Sequence, residues 1–96
     1  MIRHIVFFSA SDKADIDQII AGLTTLKAIP HCQHLEIKAN TRADQLSGEV
    51  DVVVYGEFTD QEALEAYKSH PLYQKSISLV RPLRELRIAA DILSDG

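Results

Sequence analysis

Seven consecutive residues, Tyr67-Lys68-Ser69-His70-Pro71-Leu72-Tyr73, put one imidazole and two phenols into one short segment. An imidazole takes or gives a proton near neutral pH, and a phenol donates a hydrogen bond to oxygen that is gaining negative charge. A second imidazole, His4, lies in the alternating run Ile2-Arg3-His4-Ile5-Val6-Phe7-Phe8, on the same side as Val6 and Phe8. Two readings stand for each residue. His4 is a proton carrier in a pocket between sheet and helix, or a core histidine satisfied by a carbonyl or by Tyr67. Tyr67 is a donor to a substrate carbonyl or enolate, or a buried ring with its hydroxyl paired. His70 projects into the pocket mouth, or faces the negative end of the helix before it. The candidate catalytic residues are therefore His4, Tyr67 and His70, with Val6, Phe8, Val54 and a half-exposed Tyr73 as ligand-contacting neighbours.

Other combinations carry less chemistry. His31, Cys32 and His34 form a short cluster, but strand alternation sends Cys32 and His34 to one side and His31 to the other. With no fourth ligand and no second thiolate nearby, no metal site is expected. Arg81, Arg84 and Arg87 are close in sequence and either grip an acidic ligand or serve as solvated, ion-paired charges beside Glu85 and Asp91. No phosphate-cradling glycine loop, nucleotide fingerprint, paired-carboxylate motif or Ser/His/Asp order is present, and four glycines leave little material for such a loop.

Composition narrows the class. Ninety-six residues make one domain spanning 1–96, and 46% hydrophobic with 25% charged is the balance of an ordinary globule. The net charge of −4 argues against nucleic acid, which needs a local surplus of Lys and Arg. No apolar run approaches the roughly 20 residues that span a bilayer, and no signal peptide precedes the first strand, so no membrane partner is expected. A single cysteine, Cys32, fits a reducing compartment, with the cytoplasm as the expected location.

Periodicity supplies the elements that position these residues. Residues 2–9 read as a strand apolar on both faces. Ser11 or Asp12 caps a helix whose stripe is Ile16, Ile19, Ile20, Leu23 and Leu26, and Pro30 stops it. Residues 33–39 alternate as an edge strand. A polar loop covers 40–49, and 50–58 is the strongest strand. Thr59 with Glu62 predicts a capping box for a short helix ending near Ser69. Pro71 opens another helix, Pro82 closes it, and 83–93 is the last strand. The order βαββαβ, with its second helix broken at His70-Pro71, predicts an α+β, ferredoxin-like fold: a four-stranded antiparallel sheet with helices on one face. The opposite face would expose Ile5, Phe7, Val53 and Tyr55, which predicts a homodimer, sheet against sheet about a two-fold axis.

The opening Met1-Ile2-Arg3-His4-Ile5-Val6, the Ile29-Pro30 stop, Asp51-Val52-Val53-Val54, Glu62-Ala63-Leu64-Glu65-Ala66-Tyr67, His70-Pro71 and Val80-Arg81-Pro82-Leu83 together resemble the stress-responsive A/B barrel domain (Dabb) family. The resemblance implies a ferredoxin-like fold that dimerises into an α/β barrel, with mostly unassigned biochemistry. It also brings in a plant relative that closes a polyketide by aldol condensation with no cofactor. On that pattern Tyr67, His4 and His70 fall on the relative's pocket tyrosine, first-strand histidine and His-Pro histidine. Its general-base histidine falls on Tyr73 and its third-strand histidine on Val52, so the cyclase activity is not carried over. His31 replaces a common glycine, and Asn40 matches a turn-shaping asparagine. The leading expectation is a small stress-associated protein of unassigned activity, with an apolar cavity for a small ligand. The alternative is a cofactor-independent enzyme of cyclase, isomerase or monooxygenase type, acting on an aromatic or polyketide-like substrate.

Overall fold

The computed structural model describes residues 1–95. Alternating β-branched and aromatic residues build the strands β1 (Ile2–Ala10), β2 (His34–Ala39), β3 (Val52–Phe58) and β4 (Arg84–Leu93). They form one antiparallel sheet in the order β2-β3-β1-β4. The helices are α1 (Ile16–Thr24), flanked by single 3-10 turns at Lys13–Asp15 and Thr25–Ala28, then α2 (Gln61–Ser69) and α3 (Pro71–Val80). This is the expected βαββαβ plan, with the second crossover split in two.

The helix boundaries follow local chemistry. Asp12 caps the first turn by accepting the Ala14 N–H. Pro30 halts the helical path, and Ile29 before it is extended. The cap of α2 is Asp60, one residue after the expected Thr59: its carboxylate accepts the Ala63 N–H at 2.8 Å. A carboxylate gains more than a hydroxyl at the positive helix end, which decides between adjacent candidates. Strand β3 likewise begins at Val52, not at Val50, because Asp51 has another task. Its buried carboxylate accepts the Ala10 N–H at 2.8 Å and the Lys13 ammonium at 2.7 Å, and pairs with the Arg42 guanidinium. Burial alone would push that carboxyl up. The bonds from Lys13, Ala10 and Arg42 outweigh it and hold the group below its usual range. Asn40 closes the same loop by donating to the carbonyls of Ser47 and Val50.

The core lies between the helices and one sheet face, where Val6, Phe8, Ile19, Leu23, Leu26, Val54, Phe58 and Leu64 are buried. Gly22 lets α1 and α3 approach closely. A Cβ there would sit 2.9 Å from Val80 Cγ2, and the Gly22 carbonyl accepts the buried Ser76 hydroxyl at 3.1 Å. The helices cover β2, β3 and β1 but leave β4 at an open edge. On the other face Phe7, Ile88 and Ile92 are 38%, 53% and 50% exposed. The register pairs Phe7 with Ile88 and Val53, and Arg3 with Ile92, so these apolar groups share one surface. That is the uncovered face expected from the strand pattern.

Candidate functional site

A cavity of about 290 Å³ opens between the helices and the β1–β4 side of the sheet. A cavity of about 150 Å³ already holds benzene, so this one takes a substituted single ring. His4, Val6 and Phe8 of β1, Val54 of β3, Tyr67 of α2 and Tyr73 of α3 all line it. Strand alternation aims the first four inward, and Tyr67 lies on the buried face of α2 with Leu64. The rings run as a chain. Phe58 lies 4.9 Å from Tyr67, Tyr67 lies 5.3 Å from Tyr73, and His4 lies 6.3 Å from Tyr67 between centroids. Gly56, the β3 residue opposite His4, makes room for this: a Cβ there would stand 3.0 Å from Phe58 Cε1.

His4 is 2% exposed, and its Nδ1 lies 2.5 Å from Oδ1 of Asp91 on β4. A carboxylate only accepts, so Nδ1 carries the hydrogen and Nε2 is left with the lone pair. Nε2 has no partner among the described residues, and none of their buried side-chain polar atoms is left unsatisfied. Nε2 therefore opens onto the cavity. Burial pushes the His4 pKa down. Asp91 pulls it back up through the hydrogen bond and its charge, Lys68 and Arg87 push it down again, and the net direction is down. The imidazole is thus neutral at physiological pH, a base aimed into an apolar space and oriented by a carboxylate.

The same argument applies to Tyr67. Its ring is 1% exposed, and its hydroxyl has no partner among the described residues, so the hydroxyl also meets the cavity. Burial, with Tyr73 and Cys32 adding to it, pushes its pKa well above that of a free phenol. Tyr67 is a neutral donor there and not a base. Tyr73 is half-buried, and its hydroxyl accepts from Arg87 Nη2 at 3.4 Å.

His70 lies elsewhere. It ends α2 and caps α3, its Nδ1 accepting the Leu72 N–H at 3.1 Å, and it is not among the cavity-lining residues. The expected place at the pocket mouth is corrected for a physical reason: the residue before Pro71 must be extended, and a side chain so placed caps the next helix. Cys32 contacts the Ile29 carbonyl at 3.8 Å, and burial pushes its thiol up, away from the thiolate a nucleophile needs. His34 pairs with Glu36 at 3.0 Å on the exposed edge strand.

Sequence reasoning missed Asp91 as the partner of His4. The signal was present: in this fold the last strand pairs antiparallel with the first, and setting Ile2 against Leu93 places His4 against Asp91. It also left open where Arg81, Arg84 and Arg87 go. All three line the cavity.

Comparison with known proteins agrees with this architecture. The stress responsive A/B barrel domain model matches residues 2–94. A dimeric ferredoxin-like protein of unknown function from Thermobifida fusca is 25% identical with a TM-score of 0.79, covering 95% of this chain and 88% of that one. A Dabb family protein with a ferredoxin-like fold from Mesorhizobium loti is 22% identical with a TM-score of 0.81, covering 99% and 97%. A structure described as an antibiotic biosynthesis monooxygenase is 13% identical with a TM-score of 0.79, covering both chains fully. No curated protein sequence matches.

Proposed function

For a chain that belongs to the stress-responsive A/B barrel domain family, we propose a cofactor-independent proton transfer on a small aromatic or polyketide-like molecule bound in the cavity. One observation carries this reading: the lone pair of His4 Nε2 and the unpartnered Tyr67 hydroxyl meet in the same apolar space. His4 takes a proton from carbon or oxygen of the substrate, Asp91 steadies the imidazolium that forms, and Tyr67 donates to the oxyanion left behind. Val6, Phe8 and Val54 exclude water, and Tyr73 closes the side toward solvent. Enolisation, cyclisation and isomerisation all begin with this step.

The proposed assembly is a homodimer, in which a second copy covers Phe7, Ile88 and Ile92. No helix of the described residues is long and apolar enough to cross a membrane. The cytoplasm is the proposed setting, which the lone thiol of Cys32 suits.

The test incubates the protein in D₂O with a panel of enolisable aromatic and polyketide-like compounds and follows deuterium entry beside the carbonyl. Exchange with at least one compound, lost in His4→Gln, is expected. Absence of exchange throughout the panel, with no ligand-induced shift of the His4 imidazole resonances, would overturn the proposal.

A further inference from the structure

Arg84 and Arg87 are three positions apart on β4, and in a regular strand that spacing sends side chains to opposite faces. Here they face the same cavity. The register explains it: Phe8 pairs with Arg87 and Ala10 with Arg84, so three steps on β4 oppose two on β1. The extra residue is a β-bulge, a feature that re-aims side chains beside functional sites. The bulge is anchored, because the buried Ser9 hydroxyl accepts the Leu86 N–H at 3.0 Å. Arg81, at the end of α3, joins the same rim.

None of the three guanidiniums forms an ion pair among the described residues. Arg87 reaches only the Tyr73 hydroxyl. Among the described residues no carboxylate lines the cavity, and Asp91 nearby is engaged with His4. Burial, together with Arg87 and Arg81, disfavours the charge on Arg84. A chain of net charge −4 has thus gathered three unpaired cations at the mouth of an apolar chamber. Arg84 is half-buried while Arg81 and Arg87 reach solvent, so their mutual repulsion is modest, and an anion placed among the three would relieve it. The planar fork of arginine matches a carboxylate in two-point contact.

We propose that the molecule bound in this cavity carries a carboxylate, gripped by Arg81, Arg84 and Arg87, with its ring directed inward toward His4 and Tyr67. This rests on the cavity being the binding site proposed above and adds the class of ligand. The bulge then has a purpose, which is to bring both strand arginines onto one acid group.

The experiment titrates the protein with benzoate, benzamide and inorganic phosphate, reading affinity by calorimetry and location by the His4 and Tyr67 resonances. Benzoate is expected to bind about tenfold or more tighter than its neutral amide. That advantage should vanish in Arg84→Gln, shrink with added salt and survive in the surface control Lys27→Gln. Arg87→Lys serves as the second variant should Arg84→Gln fold poorly, and a reduced preference there supports the same conclusion. Equal affinity of acid and amide, both shifting His4, would overturn the carboxylate and leave the cavity reading intact. No cavity shift with either compound would remove both. Phosphate binding as tightly as benzoate would reduce the rim to an adventitious anion site. Loss of the homodimer in Arg84→Gln with benzoate affinity unchanged would reassign the arginines to subunit contact.

Discussion

Replacing Tyr67 with phenylalanine separates two jobs that a buried tyrosine can do. The ring is 1% exposed and packs against Phe58 at 4.9 Å and Tyr73 at 5.3 Å, so it belongs to the core. The hydroxyl has no partner among the described residues. Removing only the oxygen then leaves packing intact, and stability should change by less than about 0.5 kcal/mol. At roughly 4–8 °C per kcal/mol for a chain of this size, the thermal midpoint should move by less than about 4 °C. Had the hydroxyl bonded a buried group, the loss would be about 1–3 kcal/mol and the midpoint would fall much further. The ligand should feel the change instead. A hydrogen bond to a charged oxygen contributes about 1.5–3 kcal/mol, equal to a tenfold to hundredfold loss in turnover or in affinity for an enolate-like inhibitor. Differential scanning fluorimetry and a binding titration on the same preparation decide the matter. A midpoint lowered by more than about 8 °C with unaltered ligand affinity would refute the reasoning and make Tyr67 a scaffold residue. Tyr67→Ala would not discriminate, because deleting a buried aromatic ring costs about 3–5 kcal/mol in either case.

Other expectations follow from the same geometry. The His4 imidazole, monitored by NMR, should titrate below the ordinary value of about 6.5, because burial opposes its charge. The unfolded chain then binds more protons between the folded and ordinary values. Stability is therefore full above the ordinary value and declines as pH falls through the folded one, and His4→Gln should flatten that acid limb in urea melts. Asp51→Ala strips the acceptor from the buried Ala10 N–H and releases Lys13 and Arg42, and should cost roughly 2–4 kcal/mol by chemical denaturation. Since the Asp51 carboxyl sits below its usual range, its contribution should disappear in acid; a variant no more pH-resistant than wild type would contradict this. Phe7→Asp on the open sheet face should yield a folded monomer by sedimentation at micromolar concentration. A wild-type monomer under those conditions would dispose of the dimer proposal.

The strands and helices were legible because two periodicities alternate cleanly along this chain and prolines mark the breaks. Val52-Val53-Val54 reads as a strand from its β-branched side chains, and Ile16 to Leu26 as a helix from its apolar stripe. Element ends were less legible where two capping residues stand side by side, as Thr59 and Asp60 do, since their difference lies in charge and not in pattern. Of the candidate site, His4, Tyr67 and Tyr73 were visible as residue types on inward faces. The role of Asp91 emerges only in one of the possible registers of the first and last strands, the one that sets Ile2 against Leu93. The arginine cluster was hidden for a stricter reason. Alternation assigns Arg84 and Arg87 to opposite sides, and only an added residue in β4, which no periodicity announces, reunites them.

Strand β4 hangs from the sheet along one border only, through its bonds to β1, and most of its residues are exposed. Yet it supplies both the carboxylate that steers the imidazole and two of the cations at the entrance. Loosening that border would part Asp91 from His4 and carry Arg84 and Arg87 off the cavity rim, so hydrogen exchange in β4 ought to slow when a ligand fills the cavity. Whatever clamps the strand, an occupant at the entrance or a neighbour lying on Ile88 and Ile92, would steady the His4 imidazole through Asp91 as well, and each would reinforce the other's hold.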